Sequence, residues 1–99
     1  MLPGEVDGRR HTWNQFTLRV ANGRRDDLQA DLAATDIGSA IYYPVPLHRQ
    51  ECFAHLPSFG ESLPVCEKMA GEVLSIPVYP EMSEAQLGHV ADTLVNAPL

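Results

Sequence analysis

One segment, residues 41–48, constrains the fold of this chain more than any other stretch: it reads I-Y-Y-P-V-P-L-H. Its two prolines hold φ near about −65°, and each disfavours a helical conformation in the residue before it. The segment, called here the Tyr-Pro segment, is therefore predicted to be extended and stiff. Two tyrosines and a histidine on such a backbone predict one wall of a binding site rather than part of a core.

Length and charge limit the classes of function that the chain can have. Ninety-nine residues support one domain. The net charge of −6 argues against nucleic acid, because phosphates need a clustered basic surface. No apolar run is long enough to span a bilayer, and no signal peptide is recognisable, so no membrane partner is expected. Cys52 and Cys66 lack C-x-x-C spacing and predict reduced thiols in a cytoplasmic protein.

Hydrophobic periodicity predicts alternating strands and helices along the chain. Over residues 13–20 apolar and polar side chains alternate, which predicts a first strand with Phe16, Leu18 and Val20 on its inner face. The later predicted elements are a helix over 24–35, a strand over 39–43, a short helix over 48–55, a helix over 62–75, an edge strand over 76–79 and a final helix after Ser83.

The two ends of the chain differ in their local signals. Residues 1–10 show no periodicity and are predicted to be a flexible N-terminal arm or connection. At the final helix, Ser83 and Gln86 form a capping-box pattern, and Met82 and Leu87 form a hydrophobic-staple pattern. The order of elements predicts an α/β fold of the two-layer α+β type, with a small, mostly antiparallel sheet and helices packed on one face.

Sequence blocks spread over nearly the whole chain resemble one enzyme family. Residues 38–48 read G-S-A-I-Y-Y-P-V-P-L-H and resemble the G-x-x-x-x-Y-P-x-P-L-H signature of the DegT/DnrJ/EryC1/StrS sugar-nucleotide aminotransferases, which are fold-type I enzymes dependent on pyridoxal phosphate (PLP). The resemblance is to their C-terminal small domain, which implies that residues 11–97 form that domain and that the large PLP-binding domain is absent. Further blocks that resemble the family, in the same order, are residues 11–20, 25–28, 64–68 and 72–80.

The resemblance implies an activity that needs more than this chain. The family transfers an amino group from glutamate or glutamine to a keto-sugar nucleotide, and a lysine of the large domain holds the PLP. Lys68 does not match that lysine, so the chain alone is expected to have no catalytic residue, no cofactor-binding residue and no PLP. A homodimer, or association through an exposed apolar face, is expected. The alternative is a stand-alone, non-catalytic binding or interaction module that retains the small-domain fold.

Four residues are candidates for binding the nucleotide-sugar substrate, each through hydrogen bonds. Tyr43 and His48 match family positions that face the substrate, and Tyr42 stands where the family often has histidine. Asn14 stands where the family has histidine or asparagine. The alternative for the tyrosines is that they are amphipathic surface aromatics, and for Asn14 that it only begins a strand.

The spacing of His48, Cys52 and His55 on a predicted helix also raises the possibility of a metal site. Zinc sites take four protein ligands, or three with a water held by surrounding groups. No fourth ligand is evident nearby in the sequence, so the chain is predicted to hold no metal.

Overall fold

The structure, a computed structural model, describes residues 1–98. Within these residues the fold is α/β, with three helices and a two-stranded antiparallel sheet, as predicted. Two short 3₁₀ turns, Leu47–Arg49 and Glu51–Phe53, follow the Tyr-Pro segment. The regular elements are β1 (Phe16–Arg19), α1 (Arg25–Ala34), α2 (Pro64–Glu72), β2 (Val73–Ile76) and α3 (Glu84–Asn96).

The sheet has one apolar and one polar face. Leu18 of β1 lies opposite Leu74 of β2, and both side chains are buried. The neighbouring pair, Thr17 and Ser75, points to the other face, where the two hydroxyl oxygens are 2.8 Å apart. Since successive side chains in a strand alternate between faces, the predicted inward direction of the apolar residues in β1 is confirmed for Leu18.

The core lies between the apolar face of the sheet and helices α1 and α3. Leu28 and Leu32 are one helical turn apart on α1, and both are fully buried. Helix α3 contributes Val90, whereas α2 contributes no buried residue. The core residues are Leu18, Val20, Leu28, Leu32, Ile37, Leu74 and Val90.

The predicted start of α3 is confirmed in detail. Gln86 N–H donates to Ser83 Oγ, and Ser83 N–H donates to Gln86 Oε1 at 2.9 Å, which completes the capping box. Helix α2 begins with Pro64. Because backbone N–H groups in the first turn have no acceptor within the helix, the N–H that proline lacks costs no hydrogen bond there. In the described part of the chain, no helix combines the length and apolar composition needed to cross a membrane.

The boundary between α2 and β2 differs from the prediction. Helix α2 ends at Glu72 rather than residue 75, and β2 occupies Val73–Ile76 rather than 76–79. The backbone becomes extended at Val73, with φ −82° and ψ 142°, because pairing with β1 outweighs the helical repeat of apolar residues. Pro77 lacks an N–H and cannot continue the ladder, so the strand ends before it.

Strand β2 is an edge of the two-stranded sheet, as predicted, whereas the strand predicted over 39–43 is wrong. That second strand is reduced to one bridge, in which Ala40 N–H donates to Ser75 O at 3.0 Å and Ser75 N–H donates to Ala40 O at 2.7 Å. Ser75 therefore pairs with Ala40 on one side and with Thr17 on the other. The prolines that follow cannot donate to a ladder, which explains why the pairing stops.

Two further boundaries are shorter than predicted. Strand β1 begins at Phe16 because Trp13 adopts a positive φ of 52°, which interrupts an extended chain. The helix predicted over 48–55 is replaced by the two 3₁₀ turns, because Gln50 between them is extended, with φ −79° and ψ 132°.

The first residue of the chain lies along β1. Met1 N donates to Arg19 O at 2.8 Å, and Arg19 N–H donates to Met1 O at 3.0 Å. This reciprocal pair places the start of the chain on the outer side of β1. The flexibility of residues 1–10 stays a prediction.

Arg25 connects α1 to the junction between α2 and β2. Its Nη1 donates to Ala70 O at 3.2 Å and to Val73 O at 3.3 Å, and its side chain is largely buried. We expect Arg25→Ala to lower the free energy of unfolding in urea by about 1–2 kcal/mol, because two carbonyls lose a charged donor. The matched change Arg10→Ala, at an exposed position, is expected to stay within about 0.5 kcal/mol. Equal losses in the two variants would contradict this role.

Candidate functional site

Two of the four candidate substrate residues share one cleft. Asn14, at the entry to β1, and Tyr42, after the Ala40 bridge, line a cleft of about 310 Å³ together with Ser75 and Pro77 of the β2 end. We call it the strand-end cleft. The sheet positions both residues, because β2 holds the Ala40 bridge on one side and β1 on the other.

Tyr43 faces a second cleft, of about 240 Å³, between the Tyr-Pro segment and α2. Its far side is formed by Cys66 and Met69, and we call it the α2 cleft. Tyr42 lines both clefts, and the two tyrosine rings meet edge to face with centroids 5.7 Å apart. Tyr43 is 69% exposed and Tyr42 is 46% exposed, so both phenol groups are accessible.

His48 lies apart from the two tyrosines. Its side chain is only 9% exposed, and its Nε2 is 3.2 Å from Glu67 Oε1. The aromatic side chains of Phe53 and Phe59 line the same surface pocket as His48. The structure thus brings Asn14, Tyr42 and Tyr43 together along the two clefts and turns the imidazole towards Glu67. The role of all four residues in binding substrate stays a prediction.

Glu67 is a functional candidate that the sequence reasoning missed. Its Oε1 accepts hydrogen bonds from Leu63 N–H at 2.9 Å and from Arg49 Nη2 at 2.9 Å, besides lying beside His48. The pKa of Glu67 is lowered from 4.5 to about 2, most strongly by the Leu63 N–H and then by the Arg49 guanidinium and the His48 ring. The available signal was its position in the first turn of a helix that starts at a proline, where a carboxylate is favoured.

The lowered pKa of Glu67 predicts a specific dependence of stability on pH. Since the folded chain binds the proton less tightly than the unfolded chain, the stabilisation by this carboxylate is complete above about pH 4.5 and is lost as the pH falls towards 2. We expect the difference in unfolding free energy between the parent chain and Glu67→Gln to be constant above pH 4.5 and to close below it. Urea unfolding of both chains at a series of pH values measures this difference in free energy.

The control for this pH dependence is Glu61→Gln, a change of the same kind at an exposed carboxylate close by in the sequence. Its difference from the parent chain is expected to be small at every pH. A difference for Glu67→Gln that does not vary between pH 6 and pH 2.5 would contradict the assignment.

The possible metal site at His48, Cys52 and His55 does not assemble. Cys52 is exposed on the second 3₁₀ turn and His55 is exposed in the loop after it, whereas His48 faces Glu67. Among residues 1–98, no three histidine, cysteine, aspartate or glutamate side chains converge where they could hold a metal ion.

An almost wholly apolar groove of about 490 Å³ lies beside α3, and we call it the α3 groove. The ring of Trp13 stacks on Phe16 in its wall, with centroids 5.1 Å apart. Val95 of α3 is 82% exposed at its rim. Its wall includes Leu2, Trp13, Phe16, Met82, Leu87 and Val95.

The chain matches the model of the DegT/DnrJ/EryC1/StrS aminotransferase family over residues 1–95. It belongs to this family. The resemblance of the sequence blocks to these aminotransferases is thereby confirmed. The names of several relatives describe the transfer of an amino group to a nucleotide-linked sugar.

Members of the family resemble the chain along almost all of its length. It is 45% identical over 96 residues to a pleiotropic regulatory protein of Geobacillus stearothermophilus, covering 97% of this chain and 25% of the relative. It is 40% identical over 93 residues to the UDP-N-acetyl-3-dehydro-α-D-glucosamine 3-aminotransferase of Acidithiobacillus ferrooxidans, covering 94% of this chain and 24% of the enzyme.

A solved structure of the family shows the same fold. The crystal structure of a DegT/DnrJ/EryC1/StrS aminotransferase from Brucella abortus superimposes with a TM-score of 0.81 at 34% identity, covering 99% of this chain and 26% of that one. The chain therefore spans about a quarter of the length of these family members.

Proposed function

We propose that this chain is the C-terminal small domain of a PLP-dependent aminotransferase, which moves an amino group from glutamate or glutamine to a keto-sugar nucleotide. The observation that carries the proposal is the family match over residues 1–95, supported by the aminotransferase fold at a TM-score of 0.81. The free, exposed thiols of Cys52 and Cys66 are consistent with the cytoplasm as its location.

In this proposal the two clefts form one wall of the substrate site. The side-chain amide of Asn14 can donate and accept hydrogen bonds, and the phenols of Tyr42 and Tyr43 can do the same. Both tyrosine side chains are exposed, so their phenols can reach hydroxyl or phosphate groups of a nucleotide-sugar. The role of these side chains is to orient the sugar, and both clefts are open on the side where another surface would complete them.

The residues of this chain do not fit PLP by themselves. A Schiff base needs a lysine amine aimed at the cofactor from a desolvated pocket. Lys68 is the one lysine in the sequence, and it is exposed on α2 and lines neither cleft. We therefore propose that the cofactor and its lysine belong to a separate domain and that the chain alone does not catalyse transamination.

The α3 groove is the proposed contact face for that large domain. An apolar groove of about 490 Å³ on a 99-residue chain leaves much carbon surface in water, and such patches mark interaction sites. Leu2 lines the groove next to Met1, which is fixed to β1. If this chain is the C-terminal part of a longer enzyme, as proposed, the polypeptide before residue 1 would enter at the lip of this groove. The large domain of the same family is therefore the occupant that we propose.

This proposal predicts association with a large domain supplied separately. We expect the chain to bind the part of the Acidithiobacillus ferrooxidans enzyme that lies outside the matched region, as measured by isothermal titration calorimetry. Val95→Asp is expected to weaken binding at least about tenfold, because the contact would bury an uncompensated carboxylate. Val65→Asp, at an equally exposed valine of α2 outside the groove, is the matched control and is expected to leave the affinity unchanged.

The same experiment separates the proposal from its alternatives. Equal weakening by both variants would show that the α3 groove is not the contact face. A chain that stays monomeric in light scattering and binds no large domain would favour a stand-alone binding module. A defined dimer that Val95→Asp disrupts would assign the groove to a second copy of the chain instead.

A further inference from the structure

Glu67 gathers donors from two separate parts of the chain on one carboxylate oxygen. Its Oε1 accepts from Leu63 N–H at 2.9 Å, which lies just before α2. The same oxygen accepts from Arg49 Nη2 at 2.9 Å and lies 3.2 Å from His48 Nε2, both on the first 3₁₀ turn. Glu67 therefore joins the start of α2 to the turn that ends the Tyr-Pro segment.

The connection continues from this turn to the tyrosine end of the segment. Arg49 N–H donates to Pro46 O at 2.9 Å, and the Gln50 side-chain amide donates to Val45 O at 3.1 Å. Both acceptors lie within three residues of Tyr43. Because the intervening prolines have little backbone freedom, a fixed turn on one side of them fixes the direction of the chain on the other.

We propose that Glu67 is a positioning residue that holds the Tyr-Pro segment, and with it Tyr43, in place by binding Arg49 and His48 against α2. The consequence for substrate binding rests on the proposed function, since Tyr43 is a substrate residue only in that account. The mechanical link between Glu67 and Tyr43 does not depend on it. In this proposal His48 contributes by binding Glu67, and it thereby helps to hold the Tyr-Pro segment that forms part of the proposed substrate wall.

The geometry favours this role over an incidental surface contact. A single exposed ion pair contributes little to stability. Here the side chain of His48 is 9% exposed and that of Glu67 31% exposed, and a backbone donor, a guanidinium and an imidazole meet at one oxygen. Bonds from a charged donor are shorter and stronger than neutral ones. The charged or titratable groups that contact Glu67 are Arg49 and His48, and Leu63 adds its backbone N–H.

Nuclear magnetic resonance of the ¹⁵N-labelled full chain tests the link without any ligand. In Glu67→Gln at pH 7 we expect the amide signals of Tyr43 and Val45 to shift, and hydrogen exchange at Arg49 and Gln50 to accelerate about two- to fivefold. Signals from α3 should stay unchanged, which shows that the fold is intact. Glu61→Gln is the matched control and should shift none of these signals.

A second readout distinguishes positioning from simple support of α2. As the pH is lowered from 6, the amide signals of Leu63 and Tyr43 in the parent chain should move with one common midpoint, because both report the ionisation of Glu67. In Glu67→Gln this common transition should disappear. If Leu63 and α2 respond to the substitution but Tyr43 and Val45 do not, Glu67 only supports its own helix and the proposal is overturned.

Failure of this inference is distinguishable from failure of the proposed function. UDP-N-acetylglucosamine added to the parent chain should shift the signals of Asn14, Tyr42 and Tyr43 if these residues form the substrate wall. Coupling of Glu67 to Tyr43 without ligand-dependent shifts would keep the positioning role and count against the substrate wall. Ligand-dependent shifts without coupling of Glu67 to Tyr43 would support the substrate wall and count against the positioning role.

Discussion

Replacing Leu32 by alanine is expected to lower the free energy of unfolding by about 2–5 kcal/mol. Leu32 is 0% exposed on α1, where it packs in the core with Leu28, Leu74 and Val90. The substitution removes buried carbon and leaves a cavity that the surrounding strands and helices fill only in part. Domains of this size are stable by about 5–15 kcal/mol, so the loss is a large share of the total.

Urea unfolding followed by far-ultraviolet circular dichroism measures this loss. The matched control is Leu87→Ala, a leucine on α3 that is 55% exposed, for which we expect a change within about 0.5 kcal/mol. Similar losses in the two variants would mean that the core does not lie between the sheet and α1. A loss in Leu32→Ala alone supports the placement of the core.

Local signals allowed the bounds of α1, the start of α3 and the inner face of β1 to be predicted from the sequence. The capping box of Ser83 and Gln86 depends on residues three positions apart, and the Leu28–Leu32 pair on residues one turn apart. Such features depend on residues that are close together in the sequence, so the local sequence pattern is enough to predict them. The prediction of α1 over 24–35 and the observed helix Arg25–Ala34 differ by one residue at each end.

The position of β2 could not be predicted, because partners far away in the sequence decide it. Val65, Met69 and Val73 repeat with helical spacing, yet Val73 pairs with Arg19 and adopts an extended conformation. The bridge from Ala40 to Ser75 likewise joins residues that no local pattern connects. Tertiary pairing overrides local propensity here.

The candidate site likewise combines features that the sequence predicted with a contact that it did not predict. The composition of the Tyr-Pro segment indicated an extended wall with Tyr42 and Tyr43, and the structure places both side chains on open clefts. The contact of His48 with Glu67 joins residues 19 positions apart, and the sequence contains no local signal for it. The family motif accounted for the presence of His48, but it did not identify Glu67 as the residue that His48 contacts.

A chimera tests whether the chain can serve as the small domain of an aminotransferase. In it, this chain replaces the matched 93 residues of the Acidithiobacillus ferrooxidans enzyme, to which it is 40% identical. We expect the chimera to transfer an amino group from glutamate or glutamine to the keto-sugar nucleotide in that enzyme's name. The large domain of the recipient supplies the lysine and the PLP that this chain lacks.

Within the chimera, Tyr43→Phe is expected to lower kcat/KM about fivefold, the effect of losing one hydrogen bond to the substrate. Tyr79→Phe is the matched control, because Tyr79 is partly exposed and lines neither cleft. Its kcat/KM is expected to equal that of the parent chimera. Equal effects of the two substitutions would remove Tyr43 from the substrate wall.

The steady-state rate of amino-sugar nucleotide formation by the chimera tests the central claim most directly. We expect turnover by the chimera, none by the isolated chain, and a lower kcat/KM in the Tyr43→Phe chimera but not in the Tyr79→Phe chimera. A chimera that folds and shows the absorbance of bound PLP but gives no turnover would contradict the claim. Turnover by the isolated chain with added PLP would contradict it as well.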